Sequence, residues 1–371
     1  MGFKERQQII KDLQELRKTK VVTHINSDRR VPPGLPGLPA LQTKLGTEAQ
    51  LFFYKALQEL GKYPRLDLYL YTGGGQTDSV WPLVSLFREF GDEFNVLVPY
   101  KSHSAGTLIC LGADTTVMGN AGELSAIDPR TGNQFNPVDD IDKKTRRAVA
   151  VEEVTSYFDL AKNPAKDAED NGANSSGVDI NLAFKILAEQ VHPIALGGVN
   201  RSHKQIRELA TRLLDLHYGS KSGEEGEKIK SIVDTLTQGR YSHTDILNRR
   251  EARTLLGENM VKFADEAEQS LMWNLLEEYA DAISLLETFI LQNELGDNQQ
   301  SEIKVIGAFI ETEKTSYIFR SICQVTQRSA LPPGFQVNLQ PGKLMPLMPG
   351  FPSEVHVDLR GIGWVKNEEG I

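Results

Sequence analysis

Short apolar runs alternate with helical patterns in the first third of the chain. Leu68–Thr72 and Asn95–Tyr100 are too short for helices and end in turn residues, which predicts buried strands. Val21–Asn26 has the same character and predicts an earlier strand. The small residues Gly73–Gly75 and Ser104–Gly106 follow the two later runs, and a helical pattern follows each of them. The pattern therefore predicts an α/β fold in which strands lead through tight turns into helices.

Apolar residues at helical spacing predict further helices along the chain. The predicted helices are Phe3–Arg17, Leu51–Leu60, Val149–Lys162, Asp179–Gln190 and Ser202–His217. The longest helical pattern is Glu266–Leu295, and its apolar residues cover more than one face. We predict that it forms one helix packed on both sides, in the core or against another subunit.

Beyond Gly296 the apolar residues recur with a period of two, which is typical of strands. The predicted strands are Ile303–Thr312, Tyr317–Gln327, Phe335–Leu339 and Val355–Trp364. Several prolines interrupt this region, so its strands must be short or lie at an edge. The sequence therefore predicts a small β-rich appendage at the C-terminal end.

Composition and charge narrow the classes of partner. The 371 residues carry a formal net charge of −9, which gives no electrostatic reason to expect nucleic acid or an anionic membrane as partner. No apolar run approaches the ~20 residues of a spanning helix, and the charged segment Met1–Lys20 does not resemble a signal peptide. Cys110 and Cys323 are too few for a disulfide framework. We expect a cytoplasmic protein without a membrane span.

The two turns carry the candidate chemistry. Gly73–Gly75 permits backbone conformations and close approaches that a Cβ forbids, and Ser104 places a hydroxyl at the start of a helix. These features suit acyl transfer, with a nucleophilic oxygen and backbone N–H groups that hold an oxyanion. The structural alternative is a glycine-rich turn and a serine that only caps its helix. Phosphate-binding glycine motifs, the G-x-S-x-G elbow, and the H-E-x-x-H and C-x-x-C metal motifs are all missing, so we expect no metal and no cofactor.

Three linked motifs resemble a known family. LYLYTGGGQTDSV, PYKSHSAGTLICLGADTTVMG and ELSAIDP occur in this order between Leu68 and Pro129. Together they resemble the Clp-protease/crotonase superfamily and, more closely, the serine dehydrogenase proteinase family, the soluble relatives of signal peptide peptidase A. The resemblance is dense over Val21–Pro129, thinner over His192–Val261, and slight beyond Gly296.

The resemblance implies a fold of stacked ββα units, a homo-oligomer and a peptide or protein substrate. It divides the chain into an N-terminal amphipathic helix at 1–20, a catalytic domain with helical additions at 21–295, and the β-rich region at 296–371.

The same resemblance assigns the site residues. It implies that Ser104 is the nucleophile and that the amides of Gly74 or Gly75, together with Ala105, hold the oxyanion. Asp128 lies in the matching Ile-Asp-Pro turn and either bonds its own backbone or orients a base.

The base is harder to assign. Clp proteases use a histidine after the strand that follows the nucleophile helix, and residues 123–130 contain none. Signal peptide peptidase relatives use a lysine, for which Lys162 is the candidate, with Lys166 and Lys185 as competitors. His103 precedes Ser104, but adjacent side chains on an extended segment point to opposite sides. The polar segment Asn163–Gly177 is predicted to be mobile and close to the active-site entrance if Lys162 is the base.

Three functions remain open from the sequence. The favoured hypothesis is a cytoplasmic, ATP-independent serine peptidase, since the chain has no nucleotide-binding motif. The first alternative is an inactive oligomeric scaffold or peptide-binding module with the same fold, which the unassigned base favours. The second is an acyl-CoA enzyme of the crotonase type, against which the hydroxyl at Ser104 argues.

Overall fold

The computed structural model describes most of the chain. The described residues are 2–32, 38–127, 130–131, 134–139, 145–162, 179–218, 223–237, 245–296, 298–331 and 347–371. They form two compact units, one comprising Met1–Glu123 and Asn248–Ile371 and the other Leu124–Leu247.

Helices and strands alternate through the first unit, as the apolar pattern predicts. The strands are β1 Lys20–Asn26, β2 Arg65–Tyr71, β3 Glu93–Val98, β4 Lys101–Ser102, β5 Thr115–Met118, β6 Glu123–Ser125, β7 Arg130–Thr131, β8 Val149–Ala150, β9 Ile246–Asn248, β10 Val261–Phe263, β11 Gln300–Glu311, β12 Ser316–Ser329 and β13 Ser353–Lys366. The helices are α1 Phe3–Arg17, α2 Gln50–Leu60, α3 Val80–Phe90, α4 Ala105–Leu111, α5 Val151–Lys162, α6 Ile180–Gln190, α7 Pro193–Tyr218, α8 Gly223–Thr237, α9 Arg249–Leu256, α10 Glu266–Ala282 and α11 Leu291–Leu295.

The first unit is built on one sheet in the order β10-β5-β3-β2-β1-β11-β12-β13. The strands from β10 to β1 pair in parallel. The helices α2, α3 and α4 lie in the connections between successive parallel strands, because a parallel pair needs a crossover. Consequently β1, β2, β3 and β5 all end at the same edge of the sheet, and the turns that follow them meet there.

The C-terminal strands are present and continue this sheet. β11 pairs antiparallel with β1, with Thr23 opposite Glu311, and β12 and β13 follow it. The region predicted as an appendage therefore covers the edge that β1 would otherwise expose. The predicted strand Phe335–Leu339 lies outside the described residues.

The long helix predicted over Glu266–Leu295 is wrong in its extent. α10 ends at Ala282, and Ser284 has a φ of 49°. The N–H of Leu285 donates to the carbonyl of Ala280 at 2.8 Å, which is the six-to-one bond of a Schellman motif. Phe289 is buried after this turn, whereas Leu286, placed on the predicted stripe, is 86% exposed. Periodicity alone misses the turn because the apolar residues continue through it.

A buried ion pair joins the first helix to the C-terminal strands. Arg6 donates two hydrogen bonds to the carboxylate of Glu311, at 2.9 and 2.8 Å, and both side chains are fully buried. The guanidinium lies between the rings of Tyr279 and Phe309, and the hydroxyls of Tyr279 and Ser316 also donate to Glu311. Burial opposes the charged form of Arg6, but the contacts with Glu311 outweigh it and raise its pKa. This network makes α1 part of the core of the first unit.

The second unit has a small helical core of its own. α7 packs on α8 through Ile206, Leu213, Ile229 and Val233, all of which are buried. Within this unit β7 pairs antiparallel with β8.

We predict that Glu311→Gln lowers the free energy of unfolding by about 3–5 kcal/mol, because it leaves the buried charge of Arg6 uncompensated. Glu354→Gln is the matched control, since Glu354 pairs with Arg328 on the half-exposed surface of β13 and should cost less than about 1 kcal/mol. Urea denaturation of both variants measures the difference. Equal losses would show that the buried network does not stabilise α1 against the sheet.

A second prediction concerns His24, which is fully buried on β1 and donates from Nδ1 to the carbonyl of Phe309 at 3.1 Å. Burial lowers its pKa from 6.5 to about 4. A lowered folded pKa contributes stability that is complete above pH 6.5 and is lost as the pH falls toward 4, by roughly 3 kcal/mol in total. His24→Phe keeps a ring against Phe53 and removes the titrating group.

The free energy of unfolding of His24→Phe should therefore depend less steeply on pH between 6.5 and 4 than that of the wild type. Urea denaturation at several pH values in this window provides the measurement. Parallel curves for the two proteins would contradict burial of neutral His24 as a source of acid sensitivity.

Candidate active site

The two predicted turns meet at the edge where the parallel strands end. Thr72, which follows β2, donates its N–H to the carbonyl of Lys101 and accepts from the N–H of His103, both at 3.0 Å. Its hydroxyl donates to Asn26 at the end of β1, at 2.8 Å. The ends of β1 and β2 and the segment after β3 are thus tied together at one residue, with a glycine turn on one side and Ser104 on the other.

Ser104 stands immediately before α4 in a strained conformation. Its φ of 49° and ψ of −106° lie outside the left-handed helical region that non-glycine residues sometimes adopt. Its side chain makes no capping hydrogen bond to α4. A serine that served only to start the helix would adopt an extended backbone and accept from a helix amide. Ser104 does neither, which argues against the capping interpretation.

Gly74 faces Ser104 at a distance that excludes any side chain. A Cβ on Gly74 would lie 2.9 Å from Cβ of Ser104 and 3.5 Å from its Oγ. The φ of Gly74 is 104°, which an L side chain rarely adopts. Glycine is therefore required here by both space and backbone conformation, and the Ser104 hydroxyl lies beside the glycine turn.

The backbone amides of the two turns differ in their hydrogen bonding. The N–H of Gly74 donates to the hydroxyl of Thr72 at 3.1 Å, so it is already engaged. Among the described residues, no hydrogen bond is found for the N–H of Gly75 or of Ala105. Gly75 is also packed against Leu45, whose carbonyl would lie 2.0 Å from a Cβ. Of the predicted oxyanion donors, Gly75 and Ala105 keep their amides available, whereas Gly74 serves as the close-approach residue.

The far side of the segment that leads into Ser104 is tightly packed. Ser102 is buried, and its Oγ lies 2.6 Å from where a Cβ on Gly106 would stand. The hydroxyl of Thr107 donates to the carbonyl of Ser102 at 2.9 Å. Burial raises the pKa of the neighbouring Cys110 thiol to about 11, so the thiol stays protonated near neutral pH. Cys110 is therefore a packing residue and not a competing nucleophile.

A cluster of charged side chains lies on the near side of the same segment. Asp28 accepts from Nζ of Lys101 and from the hydroxyl of Tyr71, both at 2.8 Å. His103 Nε2 lies 3.0 Å from Oε1 of Glu123. Sequence reasoning missed this cluster, although Asp28 and Lys101 each follow a strand that ends at this edge.

The charges of this cluster shift the ionisation of its members. Burial opposes the charged form of Lys101, but the hydrogen bond and charge of Asp28 outweigh it and raise the pKa of Lys101. Burial raises the pKa of Glu123, and the charge of Lys101 opposes this shift. Lys101 is consequently held as a cation and does not offer a neutral amine.

The candidate bases belong to the second unit or lie outside the described residues. Lys162 is the last residue of α5, and Lys185 lies on α6; both are exposed. Lys166 and Asp128 lie outside the described residues, as does the predicted mobile segment Asn163–Gly177. These assignments remain predictions.

Two further searches were negative over the part of the chain that the structure describes. No group of three or more histidine, cysteine, aspartate or glutamate side chains is arranged to hold a metal ion there. Likewise, none of the helices within the described ranges combines the length and the apolar character that a membrane crossing requires.

Comparison with known proteins places the site in a family. Residues 2–170 match the family model of the ClpP-like SDH-type serine proteinase. An uncharacterized protein of Methanocaldococcus jannaschii is 26% identical over 250 residues, which are 67% of this chain and 71% of that protein.

Two solved structures of the 1510-N membrane-bound stomatin-specific protease are also similar. A serine-to-alanine mutant shares 14% identity with a TM-score of 0.34, over 61% of this chain and 77% of the other. A lysine-to-alanine mutant in complex with a substrate peptide shares 16% identity with a TM-score of 0.33, over 61% and 73%.

The family match includes both turns of the site and the strands that lead into them. It confirms the predicted Clp-protease/crotonase-like fold class and the resemblance inferred from the three motifs. Through residues 2–170, the chain belongs to the ClpP-like SDH-type serine proteinase family.

Proposed function

We propose that the protein is an ATP-independent serine peptidase that cleaves peptide bonds in a peptide or protein substrate, with Ser104 as the nucleophile. The observation that carries this proposal is the strained backbone of Ser104, which presents an uncapped hydroxyl to Gly74. Backbone strain of this kind costs of order 1–3 kcal/mol and is retained where function needs it. Membership of a serine proteinase family supports the reaction class.

The reaction follows the usual course of acyl transfer. Oγ of Ser104 attacks the carbonyl carbon of the scissile bond, and its proton passes to a base and then to the leaving amine. The C–N bond breaks, and water then hydrolyses the acyl-serine ester to free the enzyme.

The oxyanion of the tetrahedral intermediate would accept hydrogen bonds from the amides of Gly75 and Ala105. Both amides flank the space between the glycine turn and Ser104, and neither is found to donate elsewhere among the described residues. Donors that are fixed before the reaction stabilise the developing charge without reorganisation. Gly74 contributes by leaving room for this approach.

Lys162 is the proposed base, with Lys166 and Lys185 as alternatives. A lysine accepts a proton only when its amine is neutral, which requires desolvation or a nearby positive charge. Lys101 is the lysine nearest to Ser104 in sequence, but its salt bridge with Asp28 keeps it charged. That observation favours a base from another part of the chain.

The proposal places the peptidase in the cytoplasm as a homo-oligomer. Cys110 and Cys323 are both free and buried, which suits a reducing compartment. Cell fractionation tests the location, and sedimentation velocity tests the assembly, since a monomer at micromolar concentration would remove the oligomer from the proposal.

We predict that Ser104→Ala lowers peptide hydrolysis by at least about a thousandfold, as expected when an acyl-transfer nucleophile is removed. Stability should change by less than about 1 kcal/mol, because the hydroxyl does not cap α4. Ser79→Ala is the matched control: Ser79 also precedes a helix at this edge, donates to the carbonyl of Gln76, and should leave activity intact. The assay compares purified proteins at the same oligomeric state.

Equal hydrolysis by the wild type and Ser104→Ala would contradict the proposed nucleophile and favour the scaffold alternative. The same assay applied to Lys162→Met tests the base. Undiminished turnover in that variant would transfer the role to Lys166 or Lys185.

We also predict that Gly74→Ala suppresses hydrolysis by ~10²-fold, because its Cβ would displace Ser104 from its reactive position. Gly61→Ala is the control, since Gly61 has a φ of 78° but no atom within 4 Å of the added carbon. It therefore introduces similar backbone strain without touching Ser104. If both variants lost the same activity, the effect would come from stability and not from the geometry of the site.

A further inference from the structure

The strained backbone of Ser104 must be held in place by its surroundings. Hydrogen bonds from the N–H of Gly106 to the carbonyl of His103 at 2.8 Å, and from the N–H of Leu108 to that of Ser104 at 3.1 Å, tie Ser104 to α4. On the other side, the N–H of His103 donates to Thr72. These bonds position the peptide groups next to Ser104 but leave the side chains of the preceding segment to be fixed by other contacts.

Residues 101–103 are extended, so Lys101 and His103 leave the backbone on one face and Ser102 on the other. The Ser102 face is closed by Gly106 and Cys110. On the opposite face, the Lys101 ammonium binds Asp28 and the His103 ring contacts Glu123. The segment that enters Ser104 is therefore held from both faces, and the contact nearest to Ser104 is the His103–Glu123 pair.

Glu123 is itself well anchored to this edge. Its N–H donates to the carbonyl of Tyr100 at 2.7 Å, which joins it to the end of β3. The carboxylate is mostly buried, as is the ring of His103. An ionised carboxylate has no proton to donate, so the geometry requires that Nε2 of His103 carries the hydrogen. A ring held at Nε2 fixes the side chain of the residue whose carbonyl borders Gly74, at 3.2 Å from where a Cβ would stand.

We propose that His103 and Glu123 are positioning residues for Ser104: the hydrogen bond between them holds the His103–Ser104 peptide so that the Ser104 hydroxyl stays beside the glycine turn. The inference rests on the proposed function of Ser104 and adds the device that keeps its backbone strained. Burial raises the pKa of Glu123, which shows that the carboxylate is held in a poorly solvated place where a lost hydrogen bond is not easily replaced by water. Glutamine at position 123 would keep the acceptor oxygen without the charge.

The test measures how fast a fluorophosphonate probe labels Ser104 in folded protein, together with kcat and KM for a peptide. Glu123→Ala should slow labelling and lower kcat by roughly 10- to 100-fold with KM little changed, because a displacement of about 1 Å costs this much. Glu123→Gln should recover most of the wild-type rate. His103→Phe cuts the same contact from the other side and covers the case in which Glu123→Ala fails to fold.

A distant ion pair provides the control for general effects on stability. Asp114 begins near the opposite end of the same sheet, where it accepts from Arg88 at 3.0 Å and from the N–H of Phe94 at 2.8 Å. Asp114→Ala should therefore lower the unfolding midpoint while Ser104 in the folded protein is labelled at the wild-type rate.

The outcomes separate the inference from the proposed function. Wild-type labelling of Ser104 combined with equal labelling of Glu123→Ala would overturn the positioning role alone. Absence of labelling in the wild type would overturn the proposed function and this inference with it. Complete loss in His103→Phe with a normal rate in Glu123→Ala would also overturn it, since His103 would then act without Glu123.

Discussion

The close approach of Gly74 to Ser104 is the constraint on which the candidate site depends. Two turns separated by a strand and a helix can face each other at this distance only if the strands before them end at the same edge and one turn lacks a side chain. Parallel pairing of β1, β2 and β3 meets the first condition, and glycine meets the second. The strained backbone of Ser104 then follows from how tightly the two turns are joined through Thr72.

The stability of that edge comes from the rest of the first unit. The C-terminal strands β11–β13 cover β1, so the strand that carries Asn26 is paired on both sides. The buried pair of Arg6 and Glu311 joins the first helix to these strands, in surroundings where either charge alone would be costly. Residues far apart in the sequence therefore hold the strand ends that shape the site.

The chemistry of the edge depends on which groups are already engaged. Gly74 donates to Thr72, Lys101 is bound to Asp28, and Cys110 is buried and protonated. A hydroxyl at Ser104 and two amides are thus what this edge presents for acyl transfer, which agrees with a serine proteinase family. The peptidase proposal follows from this arrangement more directly than from the fold, because one fold supports many reactions.

Local features of the sequence determined the strands, the turns and the position of Ser104. Short apolar runs that end in small residues need no distant partner to be recognised as strand–turn–helix units, and the glycine turn and the serine at a helix start are visible in single motifs. Periodicity failed at Ser284, where the helix ends although apolar residues continue, because the turn depends on where Leu285 and Phe289 can be buried.

Only the tertiary structure decided which distant residues meet. The extension of the sheet by β11–β13 pairs Thr23 with Glu311, and Arg6 finds its carboxylate there. The same holds for Asp28 with Lys101 and for His103 with Glu123, since no spacing in the sequence predicts which side chains share a strand edge. Gly74, and not only Gly75, had to be glycine for a reason that became visible once Ser104 stood opposite it: the distance between the two residues is set by the pairing of strands, which no local pattern encodes.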